Sequence, residues 1–382
     1  MKIAFLTDGI YPFVVGGMQK HSYCLAKELV VLGNQVDLFH SINYGENIPS
    51  SNFVNNVFFK GKHKFKNIYC INFPKSFYFP GHYLYNSYKY SSWILNILEK
   101  HSEKYDVIYS QGFTSWKLLF NKNKIKSKIY VNFHGFEMYQ YAPNLKTKIE
   151  QFLYRPIVKN ICANSDFVFS FGGKISHIIK SIGINSSKII NSFNGISPFW
   201  IIKKNNFLTN EPLRFLFIGR NERRKGYKEL CNALLEINSN SLEFHFVGEI
   251  PINQRLSIYN HSLIYHGLIK EDAKKMKIFD QCDVLICPSF SEGMPTVILE
   301  AMSRGMVILA SNVGAIDAMV SEKNGILMNG NSKSEIVKAI HKILSKNKHE
   351  IKLLKNCSIE LVNSNFTWKK IAEDLNIKLL KM

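Results

Sequence analysis

Long apolar runs are missing from this sequence. No stretch of about 18 consecutive apolar residues occurs, which predicts that no helix crosses a membrane. The apolar run after Met1 ends at Asp8, so it is too short for the core of a signal peptide. We interpret it as a first β-strand and expect a cytoplasmic protein.

Cysteine is infrequent and follows no pattern. The seven cysteines include no C-x-x-C pair, and no His/Cys group has the spacing of a zinc site. Because disulfides persist in oxidising compartments, this scattered odd set favours a reducing cytosol and buried structural thiols. We therefore predict no bound metal. The cysteines are Cys24, Cys70, Cys162, Cys231, Cys282, Cys287 and Cys357.

Acidic residues are scarce, with 29 Asp and Glu against 49 Lys and Arg, a net charge of +20. Residues 1–200 hold 23 of these cations and 10 of the acids, which is +13 and leaves +7 for the rest. A nucleic-acid partner is disfavoured because no recognised binding motif accompanies the charge. Two interpretations stay open: contact with anionic lipid, or the Lys-, Asn- and Ile-rich composition of an AT-rich genome.

Short apolar runs alternate with segments of helical period, a pattern typical of βαβ units and parallel sheets. The alternation breaks near Pro198–Pro212, where the run Lys203–Asn206 is polar, and we interpret this stretch as a linker between two α/β halves. Residues 43–66 are expected to form a loop or irregular hairpin. The predicted strands are Lys2–Thr7, Gln35–His40, Asp106–Ser110, Lys128–Phe133, Phe167–Phe171 and Lys188–Ser192, then Arg214–Ile218, Glu243–Val247, Ile264–His266, Val284–Cys287 and Val307–Ala310; two helices are predicted at Met18–Leu32 and Leu145–Asn160.

The most informative segment is Ser291–Gly305, which follows a buried strand and holds two glutamates eight positions apart. Gly293 lets the backbone approach a ligand, and Pro295 suits the first position of a helix. The free amides and the dipole at such a helix start form an anion site. Glu292 and Glu300 would then meet opposite ends of a diphosphate ligand. The alternative is a capped helix with two solvent-facing glutamates.

A second segment, Phe217–Gly226, ends a strand and brings cations into a loop. The planar fork of an arginine and the point charge of a lysine suit a diphosphate, and they stabilise a leaving group without a metal. Arg220 and Lys225, five positions apart, form a candidate pair of this kind. Arg223 and Arg224 are interpreted as solvated charges, which most basic runs are.

Ser291–Gly305 closely resembles the E-x7-E signature of glycosyltransferase family 4, and the resemblance extends over essentially the whole chain. It implies a GT-B fold, with two Rossmann-like α/β/α domains facing across a cleft, a nucleotide-sugar donor, retention of anomeric configuration, and no metal or cofactor. In that family the glutamate matching Glu300 holds the donor ribose, and the one matching Glu292 contacts the transferred sugar. The other donor-binding positions that the resemblance implies are Gly16, Gly17, Arg220, Lys225, Gly248, Leu268, Gly293, Met294, Pro295, Thr296 and Val297.

His134 follows the predicted strand Lys128–Phe133 and matches the family's His-Gly motif, whose histidine contacts the donor sugar near the reacting carbon. Alone, a histidine is usually structural, but the carboxyl end of a parallel strand is where α/β sheets place ligands. The catalytic residues we predict are His134, Glu292, Arg220 and Lys225. No nucleophile is assigned, because the mechanism commonly proposed for the family uses the leaving diphosphate as the base.

The sequence departs from the family at two places. Met306 replaces a proline after the E-x7-E helix, and Gly314–Asp317 stands where the family tends to have Gly-Gly and a glutamate. The predicted domains are an acceptor domain at residues 1–200, a donor domain at 201–365, and a helix at 366–382 that returns to the first domain. We expect Trp368 to be a packing anchor and Asn194–Ile196 a structural turn.

Rival functions stay open. A nucleotide-sugar epimerase could use the same fold. A nicotinamide-dependent oxidoreductase would need a ribose-binding acid, and Asp37 stands near the expected distance, but the complete G-x-G-x-x-G is missing. The preferred function is a hexosyltransferase that uses UDP, with GDP as the alternative, and a glycan or lipid-linked acceptor in bacterial surface polysaccharide synthesis.

A basic and aromatic stretch in the first half suggests peripheral contact with the inner face of the membrane. Amphipathic basic and aromatic side chains together suit a headgroup interface. The alternative is a solvated loop with core aromatics. The residues are Lys60, Lys62, Lys64 and Lys66, followed by Phe77, Tyr78, Phe79, Tyr83 and Tyr85.

Overall fold

The computed structural model describes residues 1–100, 105–203, 211–237, 242–259 and 261–381. Contacts divide the chain into two compact units, Met1–Asn194 with Trp368–Met382, and Gly195–Thr367. Of the predicted linker, residues 204–210 lie outside the described residues. Residues 195–203 belong to the second unit.

The first unit is built on a seven-stranded parallel sheet with the order β3-β2-β1-β4-β5-β6-β7. The order runs outward in both directions from β1 and β4, so right-handed crossovers place helices on both faces. The strands are β1 Lys2–Leu6, β2 Gln35–Ile42, β3 Asn67–Asn72, β4 Val107–Gln111, β5 Lys128–Asn132, β6 Phe167–Ser170 and β7 Ile189–Asn191; the helices are α1 Gly17–Val31, α2 Ser51–Phe58, α3 His82–Lys100, α4 Trp116–Phe120, α5 Leu145–Asn164 and α6 Gly173–Ser181.

The second unit repeats this topology in a six-stranded parallel sheet with the order β10-β9-β8-β11-β12-β13. The order reverses between β8 and β11, and a doubly wound sheet binds its ligands at such a switch point. The strands are β8 Arg214–Ile218, β9 Glu243–Val247, β10 Ser262–Gly267, β11 Val284–Cys287, β12 Val307–Ser311 and β13 Gly325–Met328; the helices are α7 Tyr227–Leu234, α8 Asp272–Gln281, α9 Thr296–Ser303, α10 Lys333–Leu344 and α11 Lys348–Asn365.

The last helix, α12 at Trp368–Lys381, joins the hydrophobic core of the first unit. It packs on α1, and its Ile371 and Leu375 share that core with Leu25 and Leu29. Trp368 is buried, and its ring meets His21 edge-on at 5.1 Å between centroids. The end of the chain is therefore part of the first unit's core.

Several elements of the structure were not predicted, among them the long helix α3. Residues 43–66 contain α2, which begins after Ser50, whose hydroxyl accepts the amide hydrogen of Phe53 at 3.2 Å. The strands β3 and β13 were not predicted. Every residue of β3 is half-buried at the sheet edge, so it lacks the alternation that marks a strand, and β13 has only four residues.

All seven cysteines are free thiols, and three of them, Cys162, Cys282 and Cys287, are buried. Burial raises the pKa of Cys287 to about 11, so this thiol stays protonated at neutral pH. Within the part of the chain that the structure describes, no helix is both long enough and apolar enough to span a bilayer.

Candidate active site

The loops after β8 and β11 flank the switch point of the second sheet, and they carry the two charged segments singled out in the sequence. Lys225 and Glu292 form a close ion pair, with 2.7 Å between Nζ and Oε1. Glu292 is only 6% exposed, so it is not a solvent-facing cap residue. Ser289 donates to the same Oε1 at 2.8 Å. The structure therefore places a lysine and a carboxylate, 67 positions apart in sequence, in one hydrogen-bonded cluster.

Arg224 joins this cluster, which corrects its interpretation as a solvated charge. Its Nη1 lies 3.5 Å from Oε2 of Glu292, and its Nε donates to Glu222 at 2.8 Å. Arg223 is also engaged, because it pairs with Glu229 through both terminal nitrogens and lies over the ring of Phe290 at 4.3 Å. Sequence spacing did not separate these arginines from ordinary surface charges, since Glu292 and Phe290, which they contact, lie on the distant loop after β11.

The two loops are held together through their backbones. Phe290 donates its amide hydrogen to the carbonyl of Arg224 at 2.7 Å. Gly226 has φ +73°, and a Cβ there would overlap the carbonyl of Pro288. A glycine is thus required by both conformation and space. This close approach fixes the position of Lys225, the preceding residue, beside Glu292.

A third loop, after β12, closes on the backbone of Glu292. Gly314 has φ +60°, and a Cβ there would overlap the carbonyl oxygens of Glu292 and Gly293. Ala315 donates its amide hydrogen to Gly293 at 2.8 Å. The segment Gly314–Asp317 departs from the family pattern, but its first glycine still makes the close backbone contact.

Helix α9 begins at Thr296, one position later than predicted, because Pro295 is its N-cap and not its first helical residue. No side chain among the described residues caps this end. Met294 is buried, whereas Val297 is half-buried and Thr296 is exposed. Glu300 lies one turn inside the helix and is half-buried. The start of α9 thus offers backbone N–H groups and a positive dipole end, which attract an anion.

Arg220 does not join the ion-pair cluster. Its side chain is 73% exposed, and its Nε lies 2.9 Å from Oε1 of Glu222. The structure therefore brings together Lys225 and Glu292, and leaves Arg220 pointing into solvent beside a carboxylate.

Gly248 follows β9 and Leu268 follows β10. Both strands lie on the side of β8 away from β11. The amide of Gly248 donates to the carbonyl of Gly267 at 2.9 Å, which joins these two strand ends. Leu268 is 49% exposed, so it offers apolar surface at this carboxyl edge of the sheet. All predicted donor positions of the second unit follow the carboxyl ends of β8 to β11.

In the first unit, the Gly16–Gly17 pair lies between β1 and α1, with Gly16 as the N-cap of the helix. Lys20 donates its amide hydrogen to Gly16 at 3.0 Å, and no side chain in the described ranges caps this end. Gly17 is exposed, with open space where a side chain would be. The pair therefore presents bare backbone at the carboxyl edge of the first sheet.

His134 follows β5 at this same edge and has an unusual backbone, with φ +54°. Its amide donates to Oδ1 of Asn132 at 2.8 Å, which helps to hold that conformation. Burial, and then the neighbouring His21, hold the pKa of His134 well below 6.5, so the ring is neutral at pH 7. Its Nε2 is buried and has no hydrogen-bond partner among the described residues. A buried nitrogen without such a partner calls for an explanation, and a bound ligand would provide one.

A polar network beneath His134 was not predicted. The ring of His21 meets that of His134 edge-on, with centroids 4.8 Å apart. Nδ1 of His21 lies 2.7 Å from Oδ1 of Asn194, and Nε2 lies 3.3 Å from the hydroxyl of Tyr109. Burial lowers the pKa of His21 to about 4, so both imidazoles are neutral. Only the fold brings these partners together, because they are up to 173 positions apart.

Asp37 does not meet the requirement for a ribose-binding acid. It is the third residue of β2, at the amino end of the strand, and only 2% exposed. Its carboxylate accepts hydrogen bonds from Asn67 at 3.1 Å and Tyr105 at 2.7 Å. A nucleotide would be expected at the carboxyl end instead. The nicotinamide alternative therefore loses its one supporting residue.

The basic and aromatic segments predicted to form one surface lie at opposite edges of the first sheet. Lys66 comes directly before β3 and donates its amide hydrogen to Val36 near the start of β2, whereas Phe73 follows β3 and donates to Ile42 at the end of β2. Lys66 and Phe73 flank the six residues of β3, so they are separated by roughly 23 Å at about 3.3 Å per residue.

Sequence models of two glycosyltransferase families match this chain. The model described as Glycosyltransferase Family 4 matches residues 15–198, and the one described as Glycosyl transferases group 1 matches residues 212–346. The chain belongs to the family 4, group 1 glycosyltransferases. It is therefore a transferase of glycosyl groups, as the E-x7-E resemblance implied.

Curated relatives extend this assignment. A glycosyltransferase of Methanocaldococcus jannaschii is 25% identical over all of this chain and 99% of its own length. An N,N'-diacetylbacillosaminyl-diphospho-undecaprenol alpha-1,3-N-acetylgalactosaminyltransferase of Campylobacter jejuni is 26% identical over 51% of this chain and 53% of its own length.

Solved structures share the fold. Sucrose-phosphate synthase of Thermosynechococcus elongatus matches with a TM-score of 0.75 at 16% identity, over 100% of this chain and 98% of that one. HepE of Anabaena in complex with UDP matches with a TM-score of 0.66 at 15% identity over the full length of both. The predicted GT-B fold class is thereby confirmed.

Proposed function

We propose that this glycosyltransferase takes a hexose from UDP and transfers it, with retained anomeric configuration, to a lipid-linked acceptor in bacterial surface polysaccharide synthesis. The acceptor class is supported by relatives whose names specify diphospho-undecaprenol acceptors, in Campylobacter jejuni and Escherichia coli. A further relative is a protein of the cps region of Klebsiella pneumoniae. UDP is supported by the shared fold of the UDP-bound HepE structure.

The observation that carries the proposal is the cluster of Lys225, Arg224 and Glu292 beside the start of α9. Two cations and an uncapped helix start at one switch point form a site for a strongly anionic ligand. A nucleoside diphosphate supplies such an anion, and it also carries hydroxyls that carboxylates bind. We assign the diphosphate to Lys225, with Arg220 and the amides near Gly293–Val297.

The carboxylates have separate roles in this proposal. Glu300 accepts hydrogen bonds from the ribose, and Glu292 accepts them from the transferred sugar. The apolar surface of Leu268 and the backbone at Gly248 wall the base. Gly16 and Gly17 approach the donor from the first unit through backbone amides. The neutral ring of His134 hydrogen-bonds a sugar hydroxyl through its unpartnered nitrogen.

The proposed reaction breaks the bond between the anomeric carbon and the diphosphate oxygen. The acceptor oxygen forms the new bond on the same face, and its proton passes to the departing diphosphate oxygen, so atoms and charge balance without a protein nucleophile. Negative charge grows on the diphosphate in the transition state, where Lys225 and the helix start stabilise it. These fixed cations are our reason for proposing that no metal is needed.

A donor screen tests this proposal. The purified chain is incubated with UDP- and GDP-sugars and a short-chain polyprenyl diphosphate-sugar acceptor, with and without EDTA, and the released nucleotide is measured. We expect UDP release that requires the acceptor, survives EDTA and falls in Glu292→Gln, with NMR of the product showing the donor's anomeric configuration. An epimerised donor formed without acceptor, or activity that returns only with added magnesium, would contradict it.

A further inference from the structure

A loop with exposed aromatic side chains follows β3 in the first unit. We call residues 73–81 the aromatic loop. Phe77 is 94% exposed, Tyr78 73% and Phe79 41%. Three consecutive large side chains exposed to water forgo the favourable free energy of burying apolar surface, which usually places such residues in a core. An exposed apolar cluster of this kind marks a contact surface.

Helix α5 presents a second apolar group, Leu145, Ile149 and Phe152, which we call the α5 stripe. These residues are 72%, 51% and 72% exposed. Their spacing of four and three positions places them within about 60° of the helix circumference, at 100° per residue. The opposite side of α5 supplies the buried residues Val158 and Ile161. The helix is therefore apolar on two sides, and only one of them meets the core.

The aromatic loop and the α5 stripe belong to one surface. Nζ of Lys146, next to Leu145, lies over the ring of Tyr78 at 5.7 Å from its centroid. The loop follows the carboxyl end of β3, and α5 starts after the carboxyl end of β5. The surface therefore lies at the same edge of the sheet as His134 and Gly16–Gly17. Tyr83, just after the loop, donates to Asp8 at the end of β1 at 2.8 Å, which ties the surface to that edge.

The charge around this surface is basic. Residues 73–90 contain two lysines and no acid, and residues 145–160 contain four cations and one acid, Glu150. All six cations are exposed. Exposed apolar side chains ringed by cations complement a layer of anionic headgroups above acyl chains. The cations are Lys75, Lys89, Lys146, Lys148, Arg155 and Lys159.

We propose that the aromatic loop and the α5 stripe form the surface by which the chain docks on an anionic lipid bilayer, with the aromatic and aliphatic side chains in the headgroup layer. The inference deepens the proposed function and rests on it for its purpose, since a lipid-linked acceptor would reach the carboxyl edge of the first sheet from such a surface. Lys60, Lys62, Lys64 and Lys66 lie at the opposite edge and take no part in the docking.

The opposite location of those four lysines provides a matched control. One variant, K75Q/K89Q/K146Q/K148Q, removes four charges from the docking surface. The control, K60Q/K62Q/K64Q/K66Q, removes the same number from the other edge, so the two variants have equal net charge. A third variant, F77S/L145S/F152S, changes only side chains at least 72% exposed, so it should fold. Circular dichroism and UDP titration on each variant check the fold and the donor site.

The test is co-sedimentation with vesicles. Binding to anionic vesicles of phosphatidylglycerol and phosphatidylcholine is compared with binding to neutral vesicles of phosphatidylcholine alone. We expect the wild-type chain to prefer the anionic vesicles and to lose binding at high salt. Each docking-surface lysine removed should weaken binding about fivefold, and F77S/L145S/F152S should weaken it at least about tenfold. The control should bind nearly as well as wild type.

Several results would overturn the inference. If the docking-surface and control variants lose equal affinity for anionic vesicles, the binding depends only on the net charge of the chain. If F77S/L145S/F152S binds vesicles with wild-type affinity, the apolar side chains take no part in docking. If the wild-type chain instead binds no vesicles but forms a dimer that this variant dissociates, the surface contacts a second copy of the chain. The transfer assay separates this failure from that of the proposed function. A chain that binds vesicles through this surface but transfers no sugar to any lipid-linked acceptor refutes the proposed function alone.

Discussion

The pairing of Lys225 with Glu292 leads to two opposite expectations for donor binding. In the structure the lysine is held by the carboxylate at 2.7 Å, and the pair is largely buried, with the side chains 16% and 7% exposed. An arriving diphosphate competes with Glu292 for Lys225. Lys225→Met removes a charged hydrogen bond worth about 1.5–3 kcal/mol and leaves Glu292 to repel the anion. We therefore expect UDP affinity to fall about tenfold to 150-fold.

Glu292→Gln should act differently on binding and on turnover. Without its carboxylate, Lys225 no longer has to leave an ion pair, so UDP should bind as well as in the wild type or more tightly. Sugar transfer should nevertheless fall, because the proposed contact between Glu292 and the sugar is lost. The double variant K225M/E292Q would show by its non-additivity how strongly the two residues are coupled.

Isothermal titration with UDP measures these affinities, and UDP release measures turnover. Lys228→Met is the matched control: it makes the same change at an exposed lysine three positions along the chain. Unchanged UDP affinity in folded Lys225→Met would refute the assignment of the cluster to the diphosphate. So would a loss of UDP affinity in Glu292→Gln as large as that in Lys225→Met, because Glu292 would then be needed for the nucleotide itself.

Three further predictions follow from other parts of the structure. His134→Ala should spare UDP binding and lower turnover, since His134 belongs to the first unit and its free nitrogen is assigned to the sugar; equal losses in titration and in turnover would exclude this role. Gly226→Ala should weaken UDP binding and lower the melting temperature, because its Cβ would overlap the carbonyl of Pro288, whereas Gly17→Ala, which meets open space, should keep the melting temperature of the wild type. Burial lowers the pKa of His21 and of His40 to about 4, so the unfolded chain binds protons that the folded chain excludes, and stability should fall as the pH drops from about 6.5 to about 4, by about 1.4 kcal/mol per pH unit for each histidine. His40→Leu should reduce that slope by one proton in denaturant titrations across this range, and an unchanged slope would show that His40 does not contribute.

The sequence predicted the sheets well because their strands are short buried apolar runs. Arg214–Ile218, Glu243–Val247 and Val284–Cys287 were predicted with their observed bounds. The edge strand β3 was missed although Ile68–Ile71 is a short apolar run, because asparagines flank the run and its half-buried residues show no alternation. Periodicity therefore identifies the strands that are fully covered, and fails where a strand is covered in part.

The site residues divide in the same way. Lys225 and Glu292 could be selected as motif residues, but their pairing could not be predicted, because they lie on different loops. Arg224 was taken for a solvated charge, although the fold places it against Glu292, and His21 was not considered at all. The loops that carry such residues are held together by backbone contacts, such as that between Gly226 and the carbonyl of Pro288. In the sequence, the only sign of this contact is the glycine itself.

The two units share one topology but differ in the charge at their switch points. At the switch point of the second sheet, Lys225 and Arg224 both form ion pairs with Glu292. The corresponding edge of the first sheet offers Gly16–Gly17 and neutral His134, while burial raises the pKa of Asp8 there, although its hydrogen bond from Tyr83 opposes the rise. A dianionic group is stabilised by the first kind of site, whereas Gly16–Gly17 and the neutral ring of His134 offer the second kind of site uncharged groups that suit a hydroxyl. Of the 23 cations in residues 1–200, four lysines lie at the amino edge and six cations surround exposed apolar side chains, so these ten do not mark a second phosphate site. This distribution favours nucleotide binding by the second unit and a neutral sugar beside the first.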